Sequence, residues 1–173
     1  CLPAKIQHAR LLTRLRPAAA KLELEKLAKR APLDHSLLMG IRQIYPADSA
    51  INNEALNRLV AWYPSDHNAL RDRLTQLEKS QSWKRAHHLC ERSLQLRYSD
   101  EVHLLSLRYL ALSGARSARH AQHQQLIYRL EWLKNHRPEF KELTQIQALI
   151  AGSDEEGVGL CAAATQLKSQ PKG

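Results

Sequence analysis

Residues 83–96 carry the clearest structural pattern of the chain, Trp83-Lys-Arg-Ala86-His-His-Leu89-Cys90-Glu-Arg-Ser93-Leu94-Gln-Leu96. A tryptophan opens it, a small residue follows three positions later, and a second small residue comes seven positions after the first. Residues at these spacings share one face of an α-helix. The pattern therefore predicts a helix whose Ala86 and Ser93 let a neighbouring helix cross closely, while Trp83 and Leu89 fill the space beside the contact.

Composition favours helix along nearly the whole chain. The apolar content is 43% of 173 residues, most of it Leu and Ala, and there are only 6 glycines. Apolar residues recur every three to four positions between prolines, and no segment alternates as a strand would. The sequence predicts an all-α fold with long helices, including one over Ala115–His136, one over 140–150 and a last one over 155–167. N-caps are predicted at Asp34, Asp48 or Ser49, Ser65, Ser82, and Ser99 or Asp100.

The helices repeat with a nearly constant period. The positions that close every second helix are Pro32, Pro64, Tyr98 and Pro138, which are 32, 34 and 40 residues apart. Helical hairpins at such a period are typical of a solenoid. The longest interval predicts an extra turn or two, which we place in the Ala115–His136 helix.

With this period, residues 17–168 resemble a divergent array of tetratricopeptide (TPR) helix pairs. The resemblance is strongest over 66–98 and weaker over 17–32, and at 48–64 the small-residue position holds Asn52. It implies antiparallel helix pairs stacked as a short TPR-like solenoid, with 1–16 as an N-terminal segment and first helix and 169–173 as a flexible tail. The residues implied to pack the strongest repeat are Leu70, Leu74, Leu77, Trp83, Ala86 and Ser93.

Proteins of this kind are interaction scaffolds, so the resemblance implies a non-catalytic protein–protein function. Their concave face is built from first helices, and the partner-binding residues implied there are Arg71, Arg73, Arg108 and Tyr109. A peptide or helix with acidic and apolar character would suit this face. Trp62, Trp83 and Trp132 are predicted to pack in the core.

The net charge of +9 favours acidic partners, which include nucleic acid, an anionic membrane and an acidic protein surface. The basic residues are densest between Lys5 and Arg30. Residues 1–44 contain no aromatic side chain on which a base could stack, which makes nucleic acid the less favoured partner. The alternative function is a cytoplasmic basic helical domain that binds nucleic acid or acts as a regulatory adaptor.

Cys1 stands where lipoprotein processing leaves a lipidated cysteine, although excision from a longer chain would place it there equally well. Lipidation would anchor the protein at the periplasmic face of a bacterial outer membrane, with the basic N-terminal stretch beside anionic lipid. By analogy, such a lipoprotein would assist assembly of a secretin, pilus or secretion system. Cys90 and Cys161 are predicted to be buried free thiols, and their pairing in an oxidising compartment stays open.

No sequence pattern predicts catalysis, a cofactor or a metal site. The chain contains no Gly-rich phosphate loop, no Gly-x-Ser-x-Gly and no His-Glu-x-x-His. His120 and His123 are three apart on a predicted helix but have no third ligand nearby. Cys90 beside His87 is expected to be inert, and the carboxylates at 154–156 are expected to favour a helix N-terminus.

Overall fold

A computed structural model of this chain describes residues 2–152, which are mainly helical, with no strand among them. The all-α prediction is therefore confirmed. The predicted helix at 155–167, the tail, Cys1 and Cys161 lie outside the described residues. The helices are α1 (Leu2–Leu15), α2 (Pro17–Arg30), α3 (His35–Ile44), α4 (Ala50–Trp62), α5 (His67–Lys79), α6 (Trp83–Leu96), α7 (Asp100–Leu110) and α8 (His123–His136). Residues 142–152 form a further helical segment.

Side-chain caps start several of these helices where the sequence predicts them. Asp34 accepts a hydrogen bond from the Leu37 amide at 2.9 Å, and Ser49 accepts one from the Asn52 amide at 3.3 Å. Such caps satisfy amide groups that have no partner within the first helical turn. The starts of α3 and α4 thus follow from local chemistry.

Two of the predicted caps differ in the structure. The cap of α5 is Asp66, not Ser65: Asp66 directly precedes the helix and accepts from the amides of Asn68 at 3.1 Å and Ala69 at 3.0 Å. Ser82 does precede α6 but makes no capping hydrogen bond. Its hydroxyl lies 2.9 Å from the hydroxyl of Ser80 instead.

The predicted helix over Ala115–His136 starts too early, because α8 ends at His136 as predicted but begins only at His123. The helical chain of α7 continues into Ala111–Ala115 but is kinked there at Gly114, whose φ of 122° is non-helical. Turns occupy 116–122 before α8 starts at His123. A positive φ is readily adopted only by glycine, so Gly114 allows the chain to leave the helix here.

The described chain divides into two compact units, of which the first ends at Gln76 and the second begins at Leu77, and each is described by itself. In the first unit, α1, α2 and α3 all pack against one another, and α3 packs against α4. The strongest predicted repeat, 66–98, spans the boundary between the units. The core of the first unit is formed by Ile6, Ala9, Leu24, Leu27, Leu37, Leu38, Ile41, Ala55, Leu56, Leu59 and Ala69.

In the second unit, α6 packs against α7, and α7 packs against α8. The core contains Leu104, Leu107, Leu110, Ala111, Ala115, Leu126, Leu130, Leu133, Leu143 and Ile146. Trp132 packs against this core, and the half-buried Trp83 stacks on Tyr109 with ring centroids 6.3 Å apart. Trp62 of the first unit is 63% exposed, so its predicted place in the core is wrong.

Candidate functional site

The residues predicted to bind a partner fall on α5 and α7, and their accessibility differs. Arg71 is exposed, whereas Arg73 is half-buried and donates to Gln76 Oε1 at 2.9 Å. Arg108 is exposed, with its Nη1 3.8 Å from Glu78 Oε1. The two arginines of α5 belong to the first unit and Arg108 to the second.

Tyr109 is only 1% exposed, contrary to its predicted place on a binding face. Its hydroxyl donates to Glu78 Oε1 at 2.7 Å, and its ring stacks on Trp83. Burial, together with the bond to Glu78, raises the pKa of the Tyr109 hydroxyl. Because α6 and α8 both pack against α7, Tyr109 is enclosed, although the sequence places it on the more polar side of the helix.

The residues predicted to pack the strongest repeat are largely enclosed. Ala86 is 0% exposed and Ser93 is 6% exposed, as expected of small residues beneath a crossing helix. On α5, the buried leucines are Leu70, Leu74 and Leu77.

A groove of about 450 Å³ lies in the first unit, between α2, α3 and α4. Its walls are mainly apolar, and Ile51 at its edge is 45% exposed. The lining side chains are Ala28, Leu38, Ile41, Ala50, Ile51, Glu54, Ala55 and Arg58. In the predicted pairing, α2 and α4 are each the second helix of a pair. The groove therefore opens beside second helices, whereas the sequence predicts the binding face along the first helices of the pairs.

An ion pair forms one rim of the groove. Arg58 Nε donates to Glu54 Oε1 at 2.9 Å, across one helical turn of α4. Arg58 Nη1 also donates to the Pro32 carbonyl at 3.3 Å, which ties α4 to the segment that follows α2. The two polar side chains therefore have a defined position above apolar walls, which is the composition typical of a ligand groove.

Asn52 joins α3 to α4, two of the helices that line the groove, a role that the sequence pattern did not reveal. Asn52 is 2% exposed, and its Nδ2 donates to the carbonyls of Arg42 at 3.0 Å and Tyr45 at 2.8 Å. These carbonyls end α3 and lack partners within that helix. The polar residue at a small-residue position is thus a side-chain cap that joins α4 to α3.

A second cleft, of about 380 Å³, lies between α1 and α2 and is strongly basic. Its lining side chains are Lys5, Glu23, Lys26, Leu27, Lys29 and Arg30. Among residues 2–152, no carboxylate forms an ion pair with any of its four cations. Uncompensated cations around a cleft attract anions.

The second unit contains a polar network among α6, α7 and α8. The hydroxyl of Ser106, which is fully buried, donates to Glu91 and lies 3.0 Å from His87 Nδ1. Arg129 Nη2 donates to Glu91 Oε1 at 2.8 Å. Although a serine, a histidine and a glutamate meet here, a substrate has no access to the buried Ser106 hydroxyl, and the arrangement connects three helices.

The hydrogen-bond directions in this network require a neutral His103. Arg129 Nε donates to His103 Nε2 at 3.0 Å, so this nitrogen carries no proton. Nδ1 then carries the proton and donates to the Tyr98 hydroxyl, 3.0 Å away, which in turn donates to Asp100. Burial and the positive charge of Arg129 both lower the pKa of His103. Its imidazole is thus held in the form that fits the network.

Two other groups in the network have shifted pKa values. Burial, above all, lowers the pKa of His87, and its bond to the Ser106 carbonyl opposes this. Burial by itself would raise the pKa of Glu91, but the hydrogen bonds from Ser106 and Arg129 outweigh it and lower the pKa. All of these shifts favour the protonation states that the hydrogen bonds need.

The remaining titratable candidates have local partners. His120 lies in the turn and not on a helix, and its Nδ1 accepts from the Gln122 amide at 3.2 Å. His123 Nδ1 donates to the Ala115 carbonyl at 2.8 Å, at the start of α8. Cys90 is fully buried, and burial raises the pKa of its thiol to about 12. Among residues 2–152, no group of three or more His, Cys, Asp or Glu side chains is placed to hold a metal ion.

Comparison with known proteins gives no match: no protein family, no curated protein and no solved structure is significantly similar to this chain. Of the helices in residues 2–152, none combines the length and the apolar character needed to cross a membrane.

Proposed function

We propose that this protein is a non-catalytic scaffold for protein–protein interaction, which holds a partner segment in the groove between α2 and α4. The observation that carries the proposal is the apolar groove of about 450 Å³ with its positioned Glu54–Arg58 rim. Pre-formed apolar grooves with a few polar groups at the edge are suited to amphipathic peptides or helices.

The helix packing of the first unit supports a TPR-like organisation. A helix of such an array contacts its partner within the pair and the first helix of the next pair. In the first unit α3 packs against both α1 and α2, as well as against its own partner α4. We therefore propose that α1–α2 and α3–α4 are consecutive pairs of a TPR-like stack.

The partner segment in this proposal has apolar and acidic character. Its apolar side chains would contact the exposed Ile51 at the edge, above the buried Leu38 and Ile41, and burial of apolar surface there would contribute to the affinity. The first unit has 12 Lys and Arg against 7 Asp and Glu, so acidic flanks on the partner would be attracted to it.

Native co-purification tests this proposal, with nuclease treatment, a moderate-salt wash and mass spectrometry. The informative variant is Ile51→Asp, which places a charge at the groove without altering the buried core. The matched control is Leu96→Asp, because Leu96 is also exposed, at 61%, but lies on α6. We expect a discrete protein to be retained by the wild type and by the control, and to be lost from Ile51→Asp.

A photo-cross-linker at position 51 then identifies the segment that occupies the groove. Retention of the partner by a folded Ile51→Asp variant would show that the groove assignment is wrong. In that case Arg71→Glu and Arg73→Glu test whether α5 binds the partner, as the sequence predicts.

The second candidate is the basic domain that binds nucleic acid or acts as a regulatory adaptor, and the uncompensated cations beside α1 and α2 favour it. Phosphate binding weakens steeply as salt rises, whereas binding in an apolar groove does not. Loss of every partner with nuclease or moderate salt would select this candidate.

The envelope setting is a further part of the proposal. If Cys1 carries lipid, the scaffold would act at the periplasmic face of the outer membrane and assist assembly of a secretin, pilus or secretion system. Metabolic labelling with a fatty-acid analogue, compared between wild type and Cys1→Ser, tests it, and equal labelling of both would exclude lipidation at this residue.

A further inference from the structure

The hairpin of α1 and α2 exposes three leucines that lie outside the core of the first unit. Leu11 is 69% exposed, Leu15 is 81% exposed and Leu22 is 55% exposed. Leu11 and Leu15 are four residues apart and share the outer face of α1. All three lie within six residues of the turn at Arg16, which is about 9 Å along a helix axis. The turn end of the hairpin therefore exposes apolar side chains, with the exposed Arg14 and Arg16 beside them.

The basic cleft lies towards the opposite end of the same hairpin. It is lined by Lys5 near the start of α1 and by Lys26, Lys29 and Arg30 near the end of α2, with Glu23 as its one carboxylate. Leu22, Lys26 and Lys29 follow one another along one face of α2, at i, i+4 and i+7. The exposed apolar and cationic side chains are thus continuous on α2.

Charge on this hairpin is strongly one-sided. Residues 2–30 contain eight Lys and Arg and two Glu. Glu25 accepts a hydrogen bond from the Tyr45 hydroxyl at 3.0 Å, so one of the two carboxylates is already engaged. The hairpin therefore presents a cationic surface with exposed leucines and no aromatic side chain.

This combination fits a lipid surface better than the other anionic partners. Binding of single-stranded nucleic acid uses aromatic stacking and has no need of leucines. An acidic protein segment could pair with the cations, but the concave apolar site suited to it is the α2–α4 groove. An anionic bilayer uses both features at once, because leucines enter the boundary between headgroups and acyl chains while cations remain at the phosphates.

We propose that the α1–α2 hairpin docks on an anionic lipid surface, with Leu11, Leu15 and Leu22 inserted and the basic cleft holding lipid phosphates. This docking needs neither a lipid on Cys1 nor a partner in the α2–α4 groove, so it goes beyond the scaffold function.

Vesicle co-sedimentation of the full chain, purified without lipid on Cys1, tests the proposal. One vesicle type is pure phosphatidylcholine, and the other is phosphatidylcholine mixed with phosphatidylglycerol at two to one. We expect binding to the mixed vesicles to be at least about tenfold tighter, since several cations contribute. Equal binding to both vesicle types would contradict a role for the cations.

The decisive variant is Leu11→Gln/Leu15→Gln/Leu22→Gln, which leaves the charge unchanged and alters only exposed positions. We expect it to bind the mixed vesicles about tenfold more weakly than the wild type. Lys26→Glu/Arg30→Glu is expected to abolish the preference for the mixed vesicles. The matched controls are Leu96→Gln and Lys134→Glu, which change exposed residues outside the hairpin and are expected to bind as the wild type does.

Circular dichroism establishes that each variant keeps its helix content. If the folded triple leucine variant binds the mixed vesicles as tightly as the wild type, the surface attracts anions without inserting, and the proposal is overturned. Equally tight binding of a mixed-sequence oligonucleotide, unaffected by the leucine changes, would overturn it in favour of nucleic acid.

Discussion

Removal of Arg129 is the most informative test of the polar network in the second unit. Arg129 donates to Glu91 Oε1 at 2.8 Å and to His103 Nε2 at 3.0 Å, and its side chain is 16% exposed. The substitution Arg129→Met retains a long side chain but removes both donors. Glu91 then loses its countercharge, and His103 loses the donor that defines its tautomer.

The expected loss in the free energy of unfolding follows from these two hydrogen bonds. A hydrogen bond to a charged group contributes about 1.5–3 kcal/mol, and a neutral one contributes about 1 kcal/mol. Water replaces part of the loss, because the Glu91 side chain is 32% exposed and keeps its bond from Ser106. We therefore expect Arg129→Met to lower the free energy of unfolding by about 2 kcal/mol, which is a large share of a typical total of about 5–15 kcal/mol.

Urea denaturation followed by circular dichroism measures this change. The matched control is Arg119→Met, since Arg119 is exposed and its substitution should cost less than about 0.5 kcal/mol. A double-mutant cycle with Glu91→Gln should show a coupling of about 1 kcal/mol between the two residues. If Arg129→Met costs no more than Arg119→Met, or if the cycle shows no coupling, the network does not stabilise the second unit.

Three further predictions concern titration, backbone geometry and thiol reactivity. The pKa values of His87 and His103 are lower in the folded protein, so their contribution to stability is fully present above the unfolded pKa of about 6.5 and is lost as pH falls below it. The urea concentration at the unfolding midpoint should therefore decrease as pH is lowered from 7 to 5. The decrease should be smaller in His103→Gln, whose amide can keep both hydrogen bonds without titrating. An equal decrease in both proteins would refute the assignment to His103. Gly114→Ala should lower the free energy of unfolding by about 1–3 kcal/mol because of its φ of 122°. Gly40→Ala should raise it by about 0.5–1 kcal/mol, since Gly40 lies within α3 and an added methyl group would meet its nearest neighbour at 3.8 Å. Thermal melts that show the same sign for both variants would contradict this. Cys90, with burial raising its pKa to about 12, should resist iodoacetamide at pH 8 until urea is added, as peptide mapping would show; rapid labelling of the native protein would contradict its burial.

The local features of the fold were predictable because they depend on neighbours in sequence. Asp34 and Ser49 cap the helices that follow them, as their side chains reach amides only three residues away. The spacing of Ala86 and Ser93 likewise predicts a face that another helix covers, and both residues are buried. The start of α8 was less predictable: the sequence predicts a helix over Ala115–His136, but α8 begins at His123, since periodicity alone does not reveal the turns at 116–122.

The candidate site was less predictable because it depends on which faces of distant helices meet. Tyr109 follows the exposed Arg108 and resembles a surface residue, yet α7 is packed on more than one side and the ring is buried. Trp62 shows the reverse, since a residue expected in the core is 63% exposed. The groove at Ile51 opens beside second helices, a placement that follows from how α2, α3 and α4 pack and from no local motif.

For this protein, residue order was enough to establish an all-helical chain, its breaks, most of its caps and its basic N-terminal stretch, because these depend on periodicity and composition. Tertiary packing decided which polar side chains are enclosed and which apolar ones are left outside. Glu91, Ser106 and Arg129 could each stand on a solvated helix face, and only the meeting of α6, α7 and α8 joins them into a partly buried network. The physical reason is that burial is a property of contacts between helices, and those contacts join residues far apart in the chain.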